Sequence, residues 1–471
     1  MFENIHNIIN SINGFLYQPY IVPLFLIAAG LYFTVRSKFM QGRLFGEMFR
    51  VVSEKPKNEN GMSSFSALMV STASRVGTGN IVGVSTAICL GGPGAIVWMW
   101  ITAILGGASA FVESTLAQIY KKKDNDGSCY GGPSYYMQDR LGQRWLGVIF
   151  AIIIILTYAV GYNMLAAFNL QSAFAAFSFY DEKTTPIVIG IILAVLFAIV
   201  VLGGAKRLSN VTGKLVPGMG ILYILVSLVI IFMNLGNIGP MFSEIFKSAF
   251  DFKAIFGGFT GSCVYLGLKR GLYSNEAGMG SAPNAAASAD VSHPAKQGLV
   301  QMLSVFIDTL LICSATAIMC LVTGIEGTAE NQGAPYVQEC LQSQLGNFGP
   351  IFVAIALALF AYTTLIGNYY YCEGCLKFIL KRTPSKTFMT VFRIIATGFV
   401  FVGTLLSAGF AWDTADMLQA LMVIINIPVI VILATPAMQC LKDYEEQKKA
   451  GKNPEYIADR AIVKADTDFW K

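Results

Sequence analysis

Apolar residues run in stretches of about 20 along most of the chain, parted by short polar segments, and the pattern predicts eleven membrane-spanning helices. They fall at about 15–35, 63–90, 95–119, 145–178, 186–202 and 213–234, then from about 252, and at 297–322, 350–380, 388–406 and 413–441. Two of these stretches are poor helices for a membrane. The first holds Ser71-Thr-Ala-Ser-Arg-Val-Gly-Thr-Gly-Asn80-Ile-Val-Gly83. Gly77, Gly79 and Gly83 each cost about 1 kcal/mol relative to alanine in a helix interior. Arg75, Thr78 and Asn80 bring polar groups to a depth where unpaired ones are expensive. A packing face of small residues would account for the glycines but not for their polar neighbours. The stretch reads as a helix broken inside the membrane, its free N–H and C=O groups turned toward a small charged ligand and an ion.

The seventh helix carries a second anomaly. It passes Lys269 and Arg270 and meets Tyr273-Ser-Asn-Glu276-Ala-Gly-Met-Gly280-Ser-Ala-Pro283. Asn275 and Glu276 among glycines, followed by a proline at a helix start, read as a break and restart. The competing possibility is an ordinary loop beyond the membrane, with Lys269 and Arg270 already in water. A following run of alanine and serine is odd for an exposed loop. The two breaks lie five helices apart on spans of opposite direction, which points to an inverted-repeat secondary transporter. The chain then reads as one membrane domain over 1–471: an added helix at 15–35, repeats at 63–235 and 252–441, and a tail from 442, too short and polar to hold a core of its own.

Charge sets the orientation. Lys and Arg gather in alternate loops, at Arg36–Lys57, Lys121–Arg144, Lys206–Lys214, Lys296 and Lys377–Lys386, and the loops between them hold almost none. The positive-inside rule puts the N-terminus outside and the C-terminus in the cytoplasm, a parity that eleven spans satisfy. Composition agrees with a membrane protein: 55% apolar, 13% charged, with a mean hydropathy of +0.58. The first residues have no basic start and no small-residue cleavage site, unlike a cleaved signal peptide. The net charge of +5 sits in loops and implies no nucleic-acid partner.

Several classes fall away. Only two histidines occur, His6 and His293, both outside the spans, which argues against a haem protein, a membrane metalloenzyme or a nucleophile–base enzyme. No phosphate-binding Gly-x-x-x-x-Gly-Lys-Ser/Thr is present, so the chain carries no ATPase of its own. A channel would show rings of like charge or repeated filter loops, and none occur. The nine cysteines form no disulfide pattern, and Cys372 and Cys375 have metal-site spacing without a second pair to complete it.

Four motifs carry a resemblance. Ser74–Gly83, Gly91-Gly-Pro-Gly94, Gly131-Gly-Pro-Ser-Tyr-Tyr136 and Arg270–Pro283 resemble the alanine-or-glycine:cation symporter family over nearly the whole chain. The resemblance implies an all-α leucine-transporter-type fold of five plus five inverted helices. It implies sodium-coupled uptake of alanine or glycine, or in some members proton-coupled uptake, across a prokaryotic inner membrane. No obligatory protein partner is evident.

On that resemblance the substrate carboxylate would meet the amides of Gly77, Thr78 and Gly79, with Asn80 also among the substrate-binding residues. Its ammonium would meet carbonyls of the first break and the segment Tyr273–Glu276, including Asn275. Tyr273 would serve as an aromatic gate, and the fourth helix would supply Phe168 and Gln171 as a wall. Sodium would take the hydroxyls of Thr363 and Thr364 and the carbonyls of Ala73, Val76 and Phe360; paired threonines in a membrane helix otherwise bond to carbonyls one turn back. Asn368, where relatives carry a bulky aromatic, would leave room and an amide for glutamine or asparagine. Glu113 is expected to hydrogen-bond the amides of a broken helix. Arg75 would hold either the substrate carboxylate or an acidic gate residue, and Asp308 has no evident partner.

Overall fold

The computed structural model describes residues 2–17, 21–56, 58, 61–124, 127–251, 262–464, 467, 469 and 470. The chain is a bundle of helices with one two-residue antiparallel hairpin, Lys122–Lys123 against Cys129–Tyr130. Seven helices among the described residues are each long and apolar enough to cross a membrane: Ala95–Ile119, Arg144–Ala176, Gly204–Met233, Pro294–Leu321, Phe348–Leu380, Lys386–Gly403 and Ala408–Ile432. Thr185–Val201 is apolar but shorter. Both interrupted helices are present: Ser64–Arg75 resumes as Val82–Gly91, and Cys263–Asn275 resumes as Pro283–Ser288. The expected start of the seventh span, at 252, lies outside the described residues.

Local chemistry sets the starts of these helices. Ser63 and Ser262 cap the two interrupted helices, accepting from the amides of Ser66 and Tyr265 at 3.0 and 3.3 Å. Ser385 and Ser407 cap the tenth and eleventh in the same way. Each cap contributes about 1 kcal/mol. Pro283 and Pro294 stand in the first turn of their helices, where a missing N–H costs nothing. The inner helices meet through small residues: Gly298 lies against Phe111 and Thr115, and Gly267 against Trp98. The Thr185–Val201 and Gly204–Met233 helices instead turn Ile191, Val195, Leu222 and Leu225 outward, as lipid-facing helices do.

Three expectations need correction. The first span is two helices, Phe2–Tyr17 and Ile21–Arg36, rather than one at 15–35. The last ends at Ile432, and a separate amphipathic helix, Ala434–Lys449, follows it. Two of the loops poor in Lys and Arg hold helices of their own, Ile238–Ala249 and Ala334–Leu345. The end of the tail packs on the bundle. Trp470 is buried with Ala67, Ala289 and Val291, its indole donating to the Gln118 carbonyl at 2.8 Å, and Lys121 lies 3.7 Å from the Phe469 ring centre. The tail builds no core but completes one, because its few aromatic residues find an apolar surface already formed by the bundle.

Candidate functional site

The first break begins where Val76 leaves helical geometry and Gly77 turns extended. Asn80 folds back so that its Oδ1 accepts from the Gly77 amide at 2.7 Å, closing a short turn over Thr78–Asn80. The Gly77 amide, expected to meet a ligand, is therefore spent inside the turn. The amides of Thr78 and Gly79 donate to no described residue. Asn80 Nδ2 donates to Asp308 at 2.7 Å. Glycine is required here on steric grounds: a Cβ at Gly79 would stand 2.8 Å from the Tyr273 ring, and one at Gly77 would collide with the Thr364 hydroxyl.

The second break starts at Glu276, which ends its helix in the left-handed region at φ 54°. Its carboxylate accepts from Ser74 at 2.9 Å and from Ser281 at 2.8 Å, tying one break to the other. Glu113 does what was expected of it. It accepts from the amides of Gly280 and Gly278 at 3.0 and 3.4 Å and from Asn426 at 2.8 Å. The loop is held from below by Asn426, which also donates to the Gly278 carbonyl and accepts from Tyr136 of the Gly131–Tyr136 motif. Asp308 gains partners that the sequence did not suggest: Asn80 from the first break, Ser274 from the second at 2.8 Å, and Thr309. It stands in a π-helical stretch, Phe306–Cys313, whose wider turn brings the carboxylate between the two breaks.

Helix Phe348–Leu380 presses against the first break with Thr364 and Gly367, the latter against the backbone of Ala73 and Ser74. Thr364 and Thr363, expected together, part company. Thr364 Oγ1 is buried at the break with no partner among the described residues, whereas the Thr363 hydroxyl donates back to the Leu359 carbonyl at 3.0 Å and faces Met219. Adjacent residues on a helix point about 100° apart, so only one of two neighbours can face a given site. Asn368 is also not free for a ligand side chain: its Oδ1 lies 2.6 Å from Ser74 Oγ and its Nδ2 donates to Asn163 at 2.9 Å.

The fourth helix offers Asn163 and Asn169 rather than the expected pair. Asn169 donates to Thr78 Oγ1 at 3.0 Å. Phe168 is half-buried one position off that face, and Gln171 binds Tyr180 at 3.0 Å. A π-helical turn at Leu156–Gly161 inserts a residue and rotates everything beyond it, which a reading of regular helical period could not anticipate. Asn163 and Asn169, among the few strongly polar side chains of this span, were the available signal.

Beyond Tyr273 the bundle is sealed. Its ring meets Tyr162 and Trp412 edge-on, with centroids 4.9 and 5.0 Å away. Arg270 lies 4.0 Å from the Trp412 ring centre and pairs with buried Asp416 at 3.2 Å, which also takes Lys269 at 2.7 Å. Lys269 and Arg270 thus stay inside the protein. On the other side a vestibule of about 580 Å³ reaches from Ser66, Ser288 and Tyr370 to Lys206 and Lys377.

Several buried polar atoms around the breaks have no partner among the described residues: Thr364 Oγ1, Asn275 Nδ2, Asn163 Nδ2, Asn169 Oδ1, and Nε and Nη2 of Arg75. Arg75 spends Nη1 on Gln301 at 3.2 and 3.3 Å and makes no ion pair among the described residues. Each such orphan costs about 1–3 kcal/mol until something binds it. Zwitterion and cation chemistry fit this set: donors for a carboxylate, and hydroxyl and carbonyl oxygens for an ammonium or a hard cation. Cys372 and Cys375 are buried free thiols on one helix, and no cluster of metal-ligating side chains occurs among the described residues.

Comparison with known proteins identifies the family and the fold. The chain matches the model of the sodium:alanine symporter family over residues 2–458. It is 43% identical to the amino-acid carrier protein AlsT of Bacillus subtilis (strain 168), covering 95% of this chain and 94% of that one. It is 42% identical to the same organism's "probable sodium/glutamine symporter GlnT", covering 98% and 95%. In fold it is similar to MhsT, solved in complex with L-phenylalanine, with a TM-score of 0.54 at 16% identity over 82% of this chain and 93% of that one. That likeness is one of fold, the leucine-transporter type. With a family match that spans almost its full length, the chain belongs to the sodium:alanine symporter family, a family of transporters and not of enzymes.

Proposed function

We propose that this protein carries a small neutral amino acid into the cell together with sodium, by exposing a site at the two breaks to each side of the membrane in turn. The observation that carries the proposal is the set of unpartnered buried polar atoms gathered where the two interrupted helices face each other. The substrate carboxylate takes the free amides of Thr78 and Gly79 at the start of a half-helix, where the dipole favours an anion. The ammonium takes carbonyls of the breaks and the Asn275–Glu276 segment, and Tyr273 closes over it. Sodium takes Thr364 Oγ1 with the carbonyls of Ala73, Val76 and Phe360. The family description supports alanine, and the second relative's name supports glutamine as a further substrate.

In this reading the chain has eleven spans: one repeat over 63–235, a second from about 252 to the end of the last span at Ile432, and an added first span. The N-terminus lies outside and the tail in the cytoplasm of a prokaryotic cell. The vestibule then faces the cytoplasm and the Asp416 ion pairs face out, so the conformation is the inward-facing one. A second reading has its own support. Glu113, Glu276 and Asp308 are all buried at the site against the single guanidinium of Arg75, and this surplus of carboxylates favours a carried proton in place of sodium.

The test is uptake of labelled alanine, glycine and glutamine into proteoliposomes with an inward sodium gradient, a proton gradient, or neither. Accumulation that needs sodium and is lost in Thr364→Ala supports the first reading. Accumulation that follows protons and ignores sodium assigns the coupling to the carboxylates. No accumulation under either gradient sinks both.

A further inference from the structure

A cleft of about 710 Å³ opens beside the vestibule, at the ends of the Arg144–Ala176 and Phe348–Leu380 helices. Among the described residues, six of the side chains lining it are basic, Lys122, Lys123, Arg144, Lys377, Lys381 and Arg382, against one carboxylate, Asp124. Three of the six are held in place. Lys377 pairs with Asp124 at 2.5 Å and Lys122 with Asp139 at 2.9 Å. Arg144 donates to the Phe378 carbonyl at 2.8 Å and lies 4.7 Å from that residue's ring centre. Lys123, Lys381 and Arg382 are exposed and make no ion pair among the described residues. The floor is aromatic and firm: Tyr135 meets Phe378 edge-on at 4.9 Å and Tyr130 at 5.6 Å.

The position of this cleft relative to the bilayer decides its ligand. Trp145, next to Arg144, is 63% exposed, and Ile149 and Ile152 continue the same outward face one and two turns on. Phe388 and Val391 begin a second apolar outward face on the following helix. A tryptophan between a basic segment and an apolar face marks the level of the head groups. The cleft therefore joins a basic hollow to surfaces that acyl chains cover. On the proposed topology it lies on the cytoplasmic side, where anionic lipids and basic pockets meet.

We propose that this cleft binds a phosphate group, that of an anionic phospholipid head group. Lys123, Lys381 and Arg382 supply the free charges, and Lys377 exchanges Asp124 for the phosphate. Lys377 and Tyr130 also line the vestibule, so the bound lipid shapes the rim through which substrate passes. A soluble phosphate compound shares the chemistry but would leave the apolar rim uncovered.

The test is retention of lipid by the purified full chain, read by native mass spectrometry after exchange into mixed phosphatidylglycerol and phosphatidylcholine, in parallel with K123Q/K381Q/R382Q. Each basic side chain near an anionic surface contributes about fivefold, so the triple variant should lose phosphatidylglycerol retention roughly a hundredfold at low salt. Its elution on size exclusion and its phosphatidylcholine background should match the parent. Equal retention of phosphatidylglycerol by both proteins would overturn the proposal. Inorganic phosphate forms the second arm. Saturable phosphate binding that needs the three residues, with no preference for phosphatidylglycerol, would overturn the lipid source and assign the cleft to a soluble phosphate. The readout is binding, so it stands whether or not sodium-coupled uptake is found.

Discussion

Ser74 and Glu276, some 200 positions apart, join at 2.9 Å, so the last turn of one interrupted helix is fastened to the residue at which the other breaks. A shift of either helix at its break stretches this bond, and in the proposed reading it links the motions of the two repeats. Glu276→Gln keeps the volume but replaces a charged acceptor with a neutral one. A hydrogen bond to a charged group is worth about 1.5–3 kcal/mol, so kcat/KM for uptake should fall roughly ten- to a hundredfold. Uptake rates in proteoliposomes check this.

Thr363 and Thr364 should separate cleanly. Thr364→Ala removes an unpartnered oxygen at the first break and should raise the sodium concentration for half-maximal uptake by about tenfold. Thr363→Ala removes a hydroxyl bonded to its own helix and should change it less than about twofold. Sodium titrations of alanine uptake decide, and equal effects would refute the assignment.

The wall of the pocket offers a parallel comparison. Asn169→Ala leaves Thr78 Oγ1 without its donor and should raise the KM for the amino acid about fivefold, the worth of one neutral hydrogen bond. Phe168→Leu, one residue away on another face, should leave it nearly unchanged.

Asp416 holds two cations, Lys269 and Arg270, behind Trp412 and Tyr273. Removing one partner of a buried ion pair costs about 3–5 kcal/mol because it strands the other. Asp416→Asn should therefore lower the melting temperature in detergent by several degrees, and Lys269→Gln should lower it little because Arg270 still pairs. Differential scanning fluorimetry reads both.

On the face away from Asp416, Glu47 of the short Phe45–Val52 helix meets Arg50 at 2.6 Å, Tyr444 at 2.5 Å and Lys448, joining that helix to Ala434–Lys449. Burial pushes its carboxyl up, but these partners outweigh it and hold it down to about 2. A carboxyl depressed in the folded state stabilises the fold above its unfolded pKa, and the gain disappears as pH falls toward the folded value. The stability difference between the parent and Glu47→Gln should be constant above about pH 4.5 and vanish as pH approaches 2. Melting curves across that range test it.

The class of the protein and the places of its anomalies were legible in the order of its residues. Apolar stretch lengths mark the spans, and glycines beside Arg75, Thr78, Asn80 and Glu276 mark both breaks, because such residues are tolerated at that depth only for a reason. Glu113 was also readable, since a lone buried carboxylate needs donors and a broken helix supplies amides. Which side chains face the site was decided by tertiary structure alone. A π-helical turn rotated the fourth helix to present Asn169 in place of Phe168, and another set Asp308 between Asn80 and Ser274; neither turn has a periodic signature. The Gly77 amide was lost to Asn80, the Thr363 hydroxyl to its own helix, and the Asn368 amide to Ser74 and Asn163. Partners close in sequence, as for Gly77 and Thr363, and partners hundreds of residues away, as for Asn368, compete for each polar group in a dry interior, and that competition is settled only once the helices are packed.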